Sequence, residues 1–235
     1  FDKVIVNSFT YKDFLNSKLL IFKNFFKSKV KVVLNGYKEF STSKNISISK
    51  KPTNFLVLAR ISPVKGGKVF ASGLRLFLER NNINLKVKWG GTCEDTEVSR
   101  KEYKEVNKII ENSDKLTKNW EWVGQTSNVD KLYFWADLII IPSTSEGMSN
   151  VLCESMCRGK FIISSKVGDY EFLISDKNGI VFDNNSPQSL CIALEKFFKM
   201  NHKKRLQICK NAYKFAKNNL NIEKTAKAYM EIFEL

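Results

Sequence analysis

The pattern of this chain predicts an α/β fold, a parallel sheet with helices on both faces. Three observations lead there. From Pro52 onward, short apolar runs alternate with longer runs of helical period, as in successive βαβ units. The short runs are apolar throughout, as in Leu138-Ile-Ile-Ile141, which suits strands covered on both sides. Arg60, Gly90-Gly91, Gly124 and Glu146 follow the first four of these runs in turn, at the edge of a parallel sheet where ligands bind.

Taken in order, residues 4–8 read as a short strand ending in a turn, and 11–26 as a helix mixing Phe, Leu and Lys. Residues 29–34 alternate Lys with Val and read as a strand, closed by the turn signal Asn35-Gly36. Residues 41–53 are polar, basic and Ser-rich, and read as a linker or domain entrance. The regular part follows, with strands expected at 55–59, 85–89, 120–123, 138–141, 161–164 and 180–182. Helices are expected at 69–80, 98–111, 129–136, 150–158, 187–200, 203–220 and 223–235. Trp120 and Trp122, at strand spacing, should face one side of the sheet. The division that results is 1–40, 41–53, a sheet domain over 54–220, and a last helix over 221–235.

With 235 residues, the chain can bury one large core or two small ones. Lys and Arg number 39 against 24 Asp and Glu, a net charge of +15, which favours anionic partners: nucleic acid, anionic lipid or a phosphorylated substrate. Abundant Lys, Asn, Ile and Phe would equally follow from an AT-rich genome. Cys93, Cys153, Cys157, Cys191 and Cys209 include no CxxC pair, and the single His202 leaves a metal site short of ligands. Buried, reduced thiols in a cytosolic protein are expected, and His202, in a Lys-rich turn, is expected at the surface. No signal peptide or membrane-length apolar run occurs, and a start at Phe1 reads as a fragment of something longer.

The chemistry concentrates in two stretches. In Ala59-Arg60-Ile-Ser-Pro-Val-Lys65-Gly66-Gly67, an Arg fork and a Lys point charge flank a Gly pair that opens a helix, a combination suited to a diphosphate. Two solvated cations in a Lys-rich loop are the plain alternative. In Pro142-Ser-Thr-Ser-Glu146-Gly-Met-Ser-Asn-Val-Leu-Cys-Glu154, seven residues separate two glutamates across a turn into a helix. Gly147 lets a ligand approach the backbone, and Met148, Ser149, Asn150 and Val151 can offer consecutive N–H groups to an anion. Ser149 or Asn150 could equally be an ordinary N-cap, and the glutamates ordinary acids near a helix start. Gly168-Asp169-Tyr170-Glu171 reads as a turn with an acidic helix start, or as a third loop on the same rim. The basic, aromatic stretch 18–31 could lie on anionic lipid, but packing against a neighbouring domain is favoured. No aromatic-plus-basic nucleic-acid motif is present.

Together these stretches resemble glycosyltransferase family 4, retaining enzymes of the GT-B fold. Arg60 and Lys65 match an RxxxxKG loop. Pro142-Ser143, Glu146-Gly147, Asn150 and Glu154 match PSxxEGxxNxxxE, the EX7E pattern. Val123-Gly124, Arg158-Gly159, Gly168 with Glu171, and Asn178-Gly179 match further elements, while Asn7-Ser8 and Val33-Leu34-Asn35-Gly36 resemble the junction between the two GT-B domains. The resemblance implies a Rossmann-like donor-binding domain preceded by a remnant of the N-terminal domain. Residue by residue, it implies that Arg60 and Lys65 neutralise a nucleotide diphosphate. Glu154 would hold the ribose, and Val123 the base through its backbone. Glu146 and the N–H groups of Gly147 through Asn150 would hold the sugar and its phosphate, with Val151 also in the donor-binding set. Preorganised cations and N–H groups stabilise the leaving group, so no metal or other cofactor is implied. Glu146 then positions and stabilises. It is not assigned as a nucleophile. Ala59 and Arg158 depart from the pattern, which usually has Gly and Ala there.

The resulting expectation is the donor half of a retaining glycosyltransferase that uses a UDP-linked sugar. The acceptor would be a polysaccharide or lipid-linked glycan of a bacterial envelope, such as lipopolysaccharide or capsule. The enzyme would work in the cytoplasm at the inner membrane face, and this fragment would be inactive without the acceptor-binding N-terminal domain. An epimerase of the same fold is disfavoured by the EX7E pair. A basic, non-enzymatic binding module for polyanions or anionic membrane, with a degenerate sugar site, is the alternative of a different class.

Overall fold

The computed structural model describes residues 3–18, 29–38 and 46–233. The first two stretches form a small unit. Strands β1 (Val4–Val6) and β2 (Val30–Val32) pair in parallel, and α1 (Phe9–Lys18) follows β1. This helix begins two residues before its expected start, and the rest of the expected helix to residue 26 lies outside the described residues. So does most of the stretch 18–31.

The large domain alternates as expected. Its elements are β3 (Asn54–Leu58), α2 (Gly67–Arg80), β4 (Lys86–Gly90), α3 (Glu97–Glu111), the short α4 (Asp114–Thr117), β5 (Trp120–Gly124), α5 (Val129–Trp135), β6 (Leu138–Ile141), α6 (Asn150–Cys157), β7 (Phe161–Ser165), the short α7 (Tyr170–Leu173), β8 (Ile180–Phe182), α8 (Pro187–Lys199) and α9 (His202–Asn219). Helix α10 (Ile222–Phe233) closes the described chain. The two short helices have too few turns to show a period. Helix starts follow local chemistry: Thr96, Asn128, Ser149, Ser186 and Asn201 each accept, through the side chain, a first-turn N–H of α3, α5, α6, α8 and α9.

The six strands lie in the order β5-β4-β3-β6-β7-β8, every neighbour parallel. The chain enters at β3, works outward to β5, then returns to β6 on the other side of β3. The order therefore reverses between β3 and β6, and a crevice opens beyond their C-terminal ends. Side chains alternate across the sheet. Phe55, Val57, Leu138, Ile140, Phe161 and Ile163 face the core under α2, α3 and α8, while Leu56, Ile139, Ile141 and Ile162 face the core under α5 and α6. Two buried faces explain why the strands read as apolar throughout. Trp120 and Trp122 share one face as expected, their rings 5.3 Å apart against Trp89.

Residues 46–53 are more than a spacer. Ile46 and Ile48 are buried, and Asp137 accepts from the N–H groups of Thr53 and Asn54 at 2.9 and 3.1 Å. His202 departs from its expected free surface position: it is half-buried, with Nε2 3.0 Å from the Ile48 carbonyl. Two apolar residues with one between them, inside a polar run, carried the chain under the sheet. All five cysteines are free thiols, and all but Cys93 are buried. Helix α10 buries none of its residues and lies along the small unit, where Thr225 Oγ1 donates to the Leu34 carbonyl at 2.9 Å. Among the described residues, no helix is long and apolar enough to cross a membrane.

Candidate functional site

The crevice between β3 and β6 is an open cleft of about 270 Å³. Two loops build it. After β3, Pro63–Lys65 makes one tight turn and ends at Gly66, whose φ of 68° only glycine adopts readily. A Cβ on Gly66 would stand 1.9 Å from the carbonyl oxygen of Pro142. The loop after β6 therefore presses directly on the loop after β3, and Thr144 N–H donates to the Val64 carbonyl at 2.8 Å. This contact joins the two sequence stretches.

Arg60, Lys65, Glu146, Met148, Ser149, Asn150 and Val151 all line the cleft. Lys65 Nζ is 2.7 Å from Glu146 Oε1, and both side chains are largely shielded. An ammonium has three N–H donors, so this pair leaves two of them for a ligand. Arg60 is exposed and pairs with Glu94, on the loop after β4. Ser149 caps α6, accepting from Leu152 N–H. The N–H groups of Met148, Ser149, Asn150 and Val151 donate to no acceptor among the described residues. Two cations and a run of open N–H groups at a helix start thus surround one crevice, an arrangement that attracts a multiply charged anion.

Three predicted residues do not line the cleft. Gly147 stands behind it, its carbonyl accepting from Asp169 N–H at 3.1 Å. Val123, at the end of β5, is partly buried against the core under α5. Glu154, one turn into α6, accepts from Tyr133 Oη at 3.2 Å and lies 3.9 Å from Arg158. Burial, then the Glu154 charge, raises the Tyr133 pKa, so its hydroxyl stays protonated and donates. Arg158, the departure at the end of α6, stacks over the Tyr133 ring at 4.2 Å and grips Asp130 at 2.7 Å. It is thus a fastening for α6.

Sequence reasoning missed several partners. Asn150 Oδ1 accepts from Tyr37 Oη at 2.6 Å and from Asn35 Nδ2 at 3.1 Å. Its side-chain oxygen is thus committed to the small unit, while its N–H donates to no acceptor among the described residues. Burial, followed by the nearby Cys153, raises the Tyr37 pKa and keeps that hydroxyl a donor. Glu94 and Tyr133 carried no signal beyond a loop acid and a core aromatic. Asp169 did carry one, a Gly-Asp pair just after a strand.

The family model for glycosyl transferases group 1 matches residues 39–215. The chain belongs to this family. An uncharacterised glycosyltransferase of Methanocaldococcus jannaschii, MJ1069, is 36% identical over 89 residues, covering 37% of this chain and 22% of that protein. Among solved structures, a glycosyltransferase of Rickettsia africae superposes with a TM-score of 0.81 at 18% identity, over 99% of this chain and 63% of that one. Anabaena Alr3699/HepE in complex with UDP-glucose superposes with a TM-score of 0.81 at 19% identity, over 100% of this chain and 64% of its own. These likenesses establish the GT-B fold. The chain spans less than two thirds of each relative's length.

Proposed function

We propose that this chain carries the donor site of a retaining, metal-independent glycosyltransferase that takes a UDP-linked hexose. The observation that carries the reading is one crevice, at the reversal of strand order, holding Lys65, Arg60 and the open N–H groups of Met148 through Val151. The UDP-glucose bound by Alr3699/HepE, a protein of the same fold, supports the choice of nucleotide.

In this reading the diphosphate displaces Glu94 from Arg60 and takes the free donors of Lys65. Glu146, fixed by Lys65, holds the sugar hydroxyls. As the glycosyl–phosphate bond breaks, charge grows on the leaving oxygen, and cations and N–H groups already in place stabilise it without reorganisation. Glu154, beside Tyr133, takes the ribose, and Val123 the base. The acceptor, a polysaccharide or lipid-linked glycan at the inner membrane face of a bacterium, would bind to a preceding domain, without which this chain would be inactive.

Titration calorimetry with UDP, GDP, ADP and their sugars tests this. One nucleotide should bind selectively, and Lys65→Ala and Glu154→Gln should each weaken it about tenfold or more. Equal, weak binding of all three that fades with salt and ignores both substitutions would return the chain to a polyanion-binding module.

A further inference from the structure

Asp169 is buried, 5% exposed, and lies outside the cleft, yet its carboxylate accepts four hydrogen bonds from the other end of the chain. Oδ1 takes Ser8 Oγ at 3.0 Å, and Thr10 N–H and Thr10 Oγ1 both at 2.8 Å. Oδ2 takes Phe9 N–H at 3.0 Å. These bonds, with the positive end of α1, offset the cost of burying the charge. Helix α1 also has a cap of its own, because Ser8 Oγ accepts Tyr11 N–H at 3.2 Å. Capping α1 is therefore only part of what Asp169 does.

The other part runs through its backbone. Asp169 N–H donates to the Gly147 carbonyl at 3.1 Å. Gly168 beside it has φ of 58°, and a Cβ there would stand 2.0 Å from that same carbonyl oxygen. From the other side, Ser8 Oγ would be 3.5 Å from a Cβ on Gly147. The start of α1, the Gly168-Asp169 turn and the Glu146-Gly147 turn thus meet at one point.

We propose that Asp169 is a positioning residue for the donor loop: it locks the Gly147 carbonyl and the start of α1 in one register, so that Glu146 and the open N–H groups of Met148 through Val151 keep their place at the cleft. This rests on the donor-site reading given above. The sugar and its phosphate, which depend on that segment, would lose more than the rest of the nucleotide when the lock is weakened.

The test uses Asp169→Asn, which keeps one carbonyl oxygen but turns an amide NH2 toward N–H donors. Thr10→Val, which removes one hydroxyl donor and keeps the main-chain bonds, is a gentler second variant should the first fail to fold. Hydrogen exchange is followed over residues 143–152, and UDP and UDP-glucose are titrated side by side. Exchange in that segment should rise about fivefold or more in Asp169→Asn and less in Thr10→Val. UDP-glucose affinity should fall about fivefold more than UDP affinity. Faster exchange confined to residues 9–18, with both ligands unaffected or equally weakened, would reduce Asp169 to a helix cap and overturn the proposal. Failure of the donor reading looks different: the wild type then binds UDP no better than GDP or ADP, while the exchange contrast between wild type and variant persists.

Discussion

Gly66 shows how much can hang on a single residue. Its positive φ and the 1.9 Å approach of the Pro142 oxygen leave no room for a side chain. Gly66→Ala must combine left-handed strain with a backbone clash, a cost of about 3 kcal/mol or more. The melting midpoint should fall by about 6–12 °C, readable by calorimetry. Nucleotide affinity should fall with it, because this contact brings Lys65 within 2.7 Å of Glu146. The glycine pair was visible in the sequence, but its contact with Pro142 was not. Those residues are 76 positions apart, and only the pairing of β3 with β6 brings them together.

At the scale of elements, α6 is the helix whose first turn lines the cleft. It is eight residues long, too short to be stable alone, and depends on its cap and on packing. Ser149→Ala removes the acceptor for Leu152 N–H and should cost about 1 kcal/mol in urea unfolding. Because the first turn of α6 also supplies open N–H groups, donor affinity should drop with stability. A surface cap such as Thr96→Ala on α3 should cost similar stability and leave binding unchanged. The spacing of Glu146 and Glu154 was legible because both lie in one short segment that turns into a helix. Its supports were not legible: Tyr133 comes from α5, Tyr37 from the small unit and Asp169 from the loop after β7.

At the scale of the molecule, a net charge of +15 acts on every anion, whichever site it reaches. UDP held in a shaped crevice should lose less than about tenfold in affinity between about 50 and 200 mM salt, whereas heparin should lose about a hundredfold or more. Fluorescence anisotropy competition at several salt concentrations separates the two. Parallel loss of both would mean that diffuse charge, and not the crevice, does the binding.

The amino-acid sequence by itself determined the α/β class, the strand and helix order and the two stretches that line the cleft, because alternation of period and short-range turn chemistry are local properties. It also carried the family resemblance through residues at fixed spacing. The tertiary structure alone decided the strand order, the Lys65–Glu146 and Arg60–Glu94 pairs, the burial of Ile46 and Ile48, and the bonds that tie Asp169 to residues 8–10. These join segments remote in sequence. Their geometry follows from how helices and sheet close over two cores, which no local pattern encodes.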